Sequence, residues 1–178
     1  GIDTVTGSLK VLGSYSPTAP FDCPKSRMIF EQGCEALAER MKQNPTQGNP
    51  ITRSMNGLAL LASGKEEYLP IVREQVEGLK GYSDPERRTL HSWYYGPVTI
   101  LLAEYTLATG DKKYLPELGR LTTEIVEGQS VVGSWGHRFI QGNGILSGYG
   151  MMNAPGVPLT TSLILARAAG VQLSLIHI

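Results

Sequence analysis

The chain contains the stretch LASGKEEYLP at 61–70, which recurs 46 residues later, at 107–116, as LATGDKKYLP. In each copy the glycine is suited to end one helix in the left-handed conformation, and the proline is suited to begin the next helix. Leu165-Ala166, ahead of Gly170, indicates the start of a third copy. A repeat of about 40–50 residues with two helices per unit is typical of stacked helical hairpins.

Apolar spacings of three and four residues predict helices along most of the chain, and their charge content alternates. The charge-rich segments contain five or six charged residues each, whereas the other three helices contain one each: Arg53, Glu104 and Arg167. A helix with one polar face lies on a surface, and a helix that is apolar nearly all round is buried. The predicted helices are 28–42, 52–63, 68–80, 97–109, 116–129 and 158–169, and Asp22 or Cys23 can cap the first, with Pro24 in its first turn.

Alternating surface and buried helices in hairpins predict an all-α fold with two layers, of the α/α-toroid kind. An open α-solenoid also stacks hairpins and is the alternative. The apolar character of 97–109 and 158–169 favours the ring. The chain supplies about three of the six hairpins of such a toroid, so we expect a partial ring. Its apolar edges would favour self-association or contact with the missing remainder of its own toroid.

Three regions are expected. Residues 1–20 form a short strand, suggested by the apolar residues Val5, Leu9 and Val11, and a linker. Residues 21–172 form the partial toroid domain. Residues 173–178, LSLIHI, match the translation of a sequencing-library adapter and are interpreted as a non-native tail, with a native apolar tail as the alternative. The given sequence starts at Gly1, with neither a starting Met nor a leader. The cellular compartment of the protein is therefore not predicted, and export from a bacterial cell is one option.

Composition excludes several classes of protein. The 178 residues include 16 basic and 16 acidic side chains, which argues against binding of nucleic acid through phosphate neutralisation. A hydrophobic content of 41% with 18% charged residues is unlike a disordered chain. No apolar run reaches the roughly 20 residues of a membrane span. Cys23 and Cys34 are too few for a disulfide framework, and Cys34 lies on an apolar stripe. No metal-binding spacing such as H-E-x-x-H is present, so neither a metal nor a cofactor is expected.

The long connections, 43–51, 81–96 and 130–157, all follow surface helices and are expected at one end of the ring. Residues 128–156 contain eight of the 21 glycines, so we expect function in this segment first. Buried helices begin at the same end, where their free N–H groups favour a polar or anionic ligand. Arg53 and Arg138 are expected there, together with Arg87 and Arg88, which could instead pair with nearby carboxylates.

Two histidines and one carboxylate are the candidate catalytic groups. His91 and His137 are expected in long loops at the same end, where either could act as a general acid or base. The alternative is that aromatic residues plug the mouth of the ring and that each histidine hydrogen-bonds a loop carbonyl. Glu104 is either a general acid or, as we favour, the partner of Arg53 or Arg167 in an ion pair. The candidate ligand-binding residues are Trp93, Tyr94, Tyr95, Trp135, Arg138, Tyr149 and Asn153.

Two resemblances extend this interpretation. Residues 129–135, QSVVGSW, match the Q-x3-G-x-W motif and resemble the repeat of triterpene cyclases, toroid enzymes in which the motif ties helix ends together. Those enzymes also need an acidic motif of the D-x-D-D kind, which this chain lacks.

Segments such as 19–26 (APFDCPKS), 91–96 (HSWYYG), 133–139 (GSWGHRF) and 148–153 (GYGMMN) are similar to an uncharacterised bacterial family. That resemblance implies a toroid-like domain of unknown function, often placed after a PDZ-like module whose tail would be residues 1–11.

Three function classes therefore remain. An enzyme acting on a polar or polysaccharide substrate would use the aromatic and glycine-rich mouth. A non-catalytic module would use the same mouth to bind a small molecule, a carbohydrate or a protein. A cyclase-like enzyme is the least supported, because the acidic motif is missing. If the chain is an enzyme, His91, His137, Glu104 and Tyr149 should converge on one pocket.

Overall fold

A computed structural model describes residues 13–83, 91–140, 146 and 150–174, and of His91 it describes the backbone only. Within these residues the chain is all-α, which confirms the predicted class. The helices are α1 (Pro24–Gln43), α2 (Pro50–Ala62), α3 (Leu69–Leu79), α4 (His91–Thr109), α5 (Leu115–Glu127) and α6 (Asn153–Ala169). No helix in this part of the chain has both the length and the hydrophobicity that a membrane crossing needs. The strand expected around Val5–Val11 lies outside the described residues.

The 46-residue repeat corresponds to two helical hairpins, α2–α3 and α4–α5. Gly64 and Gly110 follow the first helix of each hairpin with φ angles of +68° and +69°, a region that favours glycine. A 3₁₀ turn comes next in each copy, at Glu66–Tyr68 and at Lys112–Tyr114. Its tyrosine is buried in both hairpins. The repeat therefore encodes the same tight reversal twice.

The helices form two layers. Within each hairpin they are antiparallel: Arg53 near the start of α2 contacts Gln75 near the end of α3, and Tyr95 near the start of α4 contacts Glu124 near the end of α5. Tyr82, just after α3, contacts Tyr95 near the start of α4, so α2 and α4 begin at the same end. Helix α6 runs the same way, since Pro158 near its start lies against Gly96 and Gly170 after its end lies near Leu115 at the start of α5. These three helices form one layer, the inner layer, with α4 in the middle. Helices α1, α3 and α5 form the outer layer. The described parts of the long connections next to the outer-layer helices, 44–49, 80–83 and 128–140, follow the ends of α1, α3 and α5, at the end where the inner-layer helices begin.

Helix α4 is the centre of the hydrophobic core. Its residues Val98, Leu101, Leu102, Ala103 and Tyr105 are all 0% exposed. On one side Leu101 packs over Gly57 of α2, and on the other Gly96 lies directly against Pro158 of α6. Both crossings use a glycine, and at Gly96 a larger residue would meet the backbone of Pro158 and push α4 and α6 apart.

Two inner-layer helices begin earlier than their prolines indicated. Proline favours the first turn of a helix, and starts at 97 and 158 were therefore expected. Instead α4 begins at His91 and α6 at Asn153, with Pro97 and Pro158 inside them. Each proline leaves one carbonyl of the preceding turn without its helical N–H partner. Packing of the added turn of α4 stabilises it nonetheless, since Tyr95 is buried between Tyr82 and Phe139.

A polar cluster joins the two hairpins, between the last turn of α3 and the 3₁₀ turn that precedes α5. The Glu77 carboxylate on α3 accepts hydrogen bonds from Lys80 Nζ at 2.6 Å and from the Tyr114 hydroxyl at 2.6 Å, and it lies 2.9 Å from Lys113 Nζ. These three donors, Lys80 foremost, lower the pKa of Glu77 to about 2. Burial raises the pKa of Tyr114 to about 12, and its bond to Glu77 adds to this.

Replacement of Gly96 by alanine should destabilise the protein. The new methyl group would lie 2.8 Å from Pro158 Cβ and 3.1 Å from its backbone carbon, so α4 and α6 must separate. We expect the free energy of unfolding in urea to fall by about 1–3 kcal/mol. The matched control is Gly119→Ala on α5, where no atom lies within 4 Å of the added methyl. That change should raise stability by about 1 kcal/mol through helix propensity. Equal effects of the two changes would contradict the close crossing.

The Glu77 cluster should make stability depend on pH in acid. Because the folded-state pKa of about 2 lies below the ordinary 4.5, the carboxylate stabilises the fold above pH 4.5 and loses this effect as the pH falls toward 2. Glu77→Gln should lower the Tm by a few degrees near neutral pH, and the difference from the wild type should shrink in acid. Glu66→Gln, at an exposed position, is the control. A difference in Tm that is the same at every pH would show that the charge of Glu77 contributes nothing.

Candidate functional site

A cleft of about 280 Å³ lies where the segment after α5 meets the start of α6. One wall is the turn around Gly133, Ser134 and Trp135, and the other is the first two turns of α6. The groups that face it are hydroxyls, an amide, glycine backbone and a few apolar side chains. The lining residues are Gly133, Ser134, Trp135, Met152, Asn153, Gly156, Val157, Thr160 and Thr161. The cleft therefore lies within the glycine-rich part of the chain and is bordered by the next helix.

The turn over 129–135 is held by its own hydrogen bonds. The Gln129 side chain donates to the Gly133 carbonyl at 2.9 Å, and the Ser130 N–H donates to the Ser134 carbonyl at 2.8 Å. The Trp135 indole N–H donates to the Ile125 carbonyl in the last turn of α5 at 2.8 Å. Trp135 is only 3% exposed, so its ring forms the back of the cleft and offers no broad stacking surface. The turn is thereby fixed to the end of α5.

The loop is also fixed to α4 through a pair of rings. The Trp93 indole N–H donates to His137 Nδ1 at 3.0 Å, and the two rings stack with their centroids 5.8 Å apart. A histidine that accepts at Nδ1 carries no proton on that atom. Both side chains are half-buried. His137 thus hydrogen-bonds a side chain of α4, whereas the structural alternative had named a loop carbonyl as its partner.

Tyr95 packs away from the cleft. It is 3% exposed, its ring contacts Tyr82 and Phe139, and its hydroxyl donates to the Glu124 carboxylate. The other oxygen of that carboxylate accepts from Arg120, whose guanidinium also binds Glu117 and the Tyr82 carbonyl. Tyr95 is consequently part of a polar network between α4 and α5, whereas its neighbour Tyr94 is half-buried.

The remaining predicted residues are spread over the domain. Asn153 lines the cleft, and the half-buried Arg138 follows His137. His91 is the first residue of α4 and not part of a loop, and its side chain, like the whole of Tyr149, lies outside the described residues. Glu104 is eleven residues after Trp93, about 16 Å along α4, and so lies far from His137.

The ion pair expected for Glu104 is not formed. Neither Arg53 nor Arg167 contacts it, and within the described part of the chain its carboxylate has no ion-pair partner. Arg53 instead donates to Gln75 at 3.0 Å, and Gln75 donates to the Pro45 carbonyl at 2.8 Å. Arg53 therefore braces the connection between α1 and α2. Glu104 is half-exposed, so water can solvate it without a partner.

Three lining residues of the cleft lie beyond the segment 128–156 in which function was expected: Val157, Thr160 and Thr161. The two threonines lie in a helix whose low charge indicated burial on all sides. Their spacing in the sequence does not distinguish a buried position from a cleft-lining one, because threonine fits a packed helix and the wall of a ligand-binding site equally well. The exposure of the first turns of α6 depends on which elements pack around that helix, and these are known only from the fold.

Cys23 also has a chemical character that the sequence did not indicate. It caps α1, and a hydrogen bond from the Ser26 hydroxyl, with others from the Ser16 and Ser26 backbone, lowers the pKa of its thiol to about 6. The sulfur lies 3.3 Å from the Ser16 nitrogen and the residue is 3% exposed. Cys23 is thus the N-cap residue of α1 by backbone position, and its buried sulfur makes no capping hydrogen bond to the helix. Among the described residues no cluster of histidine, cysteine or carboxylate side chains is suited to hold a metal ion.

Replacement of Trp135 tests how the turn is anchored. Trp135→Phe removes the donor to the Ile125 carbonyl and leaves that acceptor buried, so we expect the free energy of unfolding to fall by about 1–3 kcal/mol. Gln129→Ala removes an exposed hydrogen bond that water can replace, and should cost about 0.5 kcal/mol or less. Chemical denaturation of both variants gives the comparison. A larger loss for Gln129→Ala would mean that the turn is anchored by Gln129.

Comparison with known proteins identifies the family of the chain. No curated protein is similar to it, and neither is any solved structure. One family model matches, over residues 26–177, and it covers all six helices except the first two residues of α1. The chain therefore belongs to the family described as domain of unknown function DUF6288.

Proposed function

We propose that the domain is a non-catalytic binding module whose cleft holds a neutral, hydroxyl-rich ligand of the carbohydrate class. The observation that carries this proposal is the lining of the cleft: Ser134, Asn153, Thr160 and Thr161 provide donors and acceptors without net charge. Glycine backbone at Gly133 and Gly156 allows close approach of a ligand. Such groups match the alternating donors and acceptors of sugar hydroxyls.

The same lining favours binding over catalysis. Acid–base or nucleophilic catalysis needs a titratable group within hydrogen-bond reach of the substrate, and none of the described lining residues has one. The apolar side chains of Met152 and Val157 provide a surface for the carbon skeleton of a ligand. A small site of this kind supports weak, specific binding to a repetitive ligand.

An enzyme acting on a polar or polysaccharide substrate is the less supported function. It would need His91, His137 and Glu104 around one substrate, yet Glu104 lies about 16 Å along α4 from the ring that His137 contacts. The Nδ1 atom of His137 is already engaged by Trp93. A cyclase-like activity gains no support from the cleft, whose described lining contains no carboxylate.

Calorimetric titration with neutral tetrasaccharides tests the proposal. The probes are the tetramers of cellulose, xylan, chitin and starch, and at least one should bind. Thr160→Val and Asn153→Ala should each weaken that binding about five- to tenfold, the loss expected for one hydrogen bond.

The control variant is Thr123→Val. Thr123 is an exposed threonine of α5 whose hydroxyl donates to the Gly119 carbonyl of its own helix, so this change should leave the affinity unchanged. The proposal is wrong if none of the four sugars binds, or if binding is the same in the Thr160→Val protein.

A further inference from the structure

The cleft places one carboxamide between two aliphatic side chains. Asn153 and Val157 are four residues apart in α6, so they lie on the same face of the helix, and Met152 directly precedes the helix. All three residues line the cleft. Met152 is half-buried there, whereas Asn153 and Val157 are exposed. A ligand at this wall therefore meets an amide group and apolar surface side by side.

The apolar surface of the cleft is aliphatic. Trp135 also lines the cleft, but it is only 3% exposed and its indole N–H is bound to the Ile125 carbonyl. The flat C–H face of a pyranose ring is suited to stacking on an aromatic face, which Trp135 does not present. Two separate aliphatic side chains are suited instead to a small apolar group that projects from the sugar, such as a methyl group.

The acetamido group combines such a methyl group with one hydrogen-bond donor and one acceptor. Its N–H and C=O match the carboxamide of Asn153, which itself provides both functions. The backbone N–H groups of Asn153 and Ala154 are further donors for its carbonyl, because no side chain caps α6 and among the described residues neither N–H has an acceptor. A hydroxyl in the same place would instead be held against Met152 and Val157, which costs free energy.

We propose that the cleft recognises a 2-acetamido sugar, with the acetamido group held by Met152, Asn153 and Val157. The ligand is then a neutral glycan of N-acetylhexosamine units. This assignment rests on the proposed carbohydrate function, because it names the sugar that the same cleft binds. The hydroxyls of Ser134 and Thr160 contact any sugar, so the difference between two affinities, which is specificity, depends on the apolar pair.

Titration with chitotetraose and cellotetraose measures the preference. The two tetrasaccharides have the same glucose backbone and linkage and differ only in the substituent at C2, which is acetamido in the first and hydroxyl in the second. We expect chitotetraose to bind about tenfold more tightly or better in calorimetry. In saturation-transfer NMR of the same complex, the acetyl methyl protons should receive the largest transfer from the protein, since they lie closest to it.

Two substitutions of similar size test the apolar pair. Val157→Thr exchanges one methyl group for a hydroxyl, and Met152→Gln exchanges the thioether for an amide. Each should weaken binding of chitotetraose about three- to tenfold, whereas the affinity for cellotetraose should not fall. Val131→Thr is the matched control: Val131 is 92% exposed and lies outside the cleft, so its replacement should change neither affinity. Far-UV circular dichroism verifies that each variant is folded.

Failure of the acetamido assignment differs from failure of the carbohydrate function. If the tetramer of cellulose, xylan or starch binds as tightly as chitotetraose, the assignment is wrong and the carbohydrate function stands. If the preference for chitotetraose survives both substitutions, Met152 and Val157 do not hold the acetyl group and the assignment is equally overturned. If none of the four tetramers binds, the carbohydrate function itself is wrong, and the assignment fails with it.

Discussion

The structure depends on the burial of α4 between α2 and α6. Two glycines make this possible, because Gly57 accommodates the side chain of Leu101 and Gly96 allows the backbone of α6 to approach at Pro158. The helices therefore pack closely enough to exclude water from Val98, Leu102 and their neighbours, and the hydrophobic effect of this core stabilises the inner layer. The outer helices pack against this layer through the apolar sides that they present to it.

The same crossing positions the cleft. Helix α6 lies directly against α4 near its start, at Pro158, and its first turns line the cleft together with the loop that follows α5. That loop is held from two directions, by the Trp135 indole on the Ile125 carbonyl and by the Trp93 indole on His137. The two tryptophans thus act as anchors, and the groups left facing the cleft are the small neutral ones between them. This division explains why the conspicuous aromatic residues are not the chemically available ones.

Sequence reasoning succeeded for elements set by local pattern. The glycine and proline of each repeat specify the end of one helix and the start of the next, and the alternation of charge separates the layers. It failed at Pro97 and Pro158, where the rule that proline starts a helix was outweighed by burial of residues such as Tyr95.

The candidate site was predicted in part. Asn153 and Trp135 line the cleft, whereas Thr160 and Thr161 were not predicted, because they lie in a helix whose low charge indicated burial. The predicted partner of Glu104 was also wrong, since Arg53 is held by Gln75 from the neighbouring helix.

The sequence by itself determined the all-α class, the hairpin repeat and the end of the molecule where the long loops gather. These properties follow from spacing along the chain, which local backbone preferences and helical periodicity translate directly into structure. Only the tertiary structure decided which aromatic side chains are buried anchors and which hydroxyls face open space. The physical reason is that burial is a property of neighbours in space, and residues far apart in sequence, such as Gly96 and Pro158, meet only when the helices have packed.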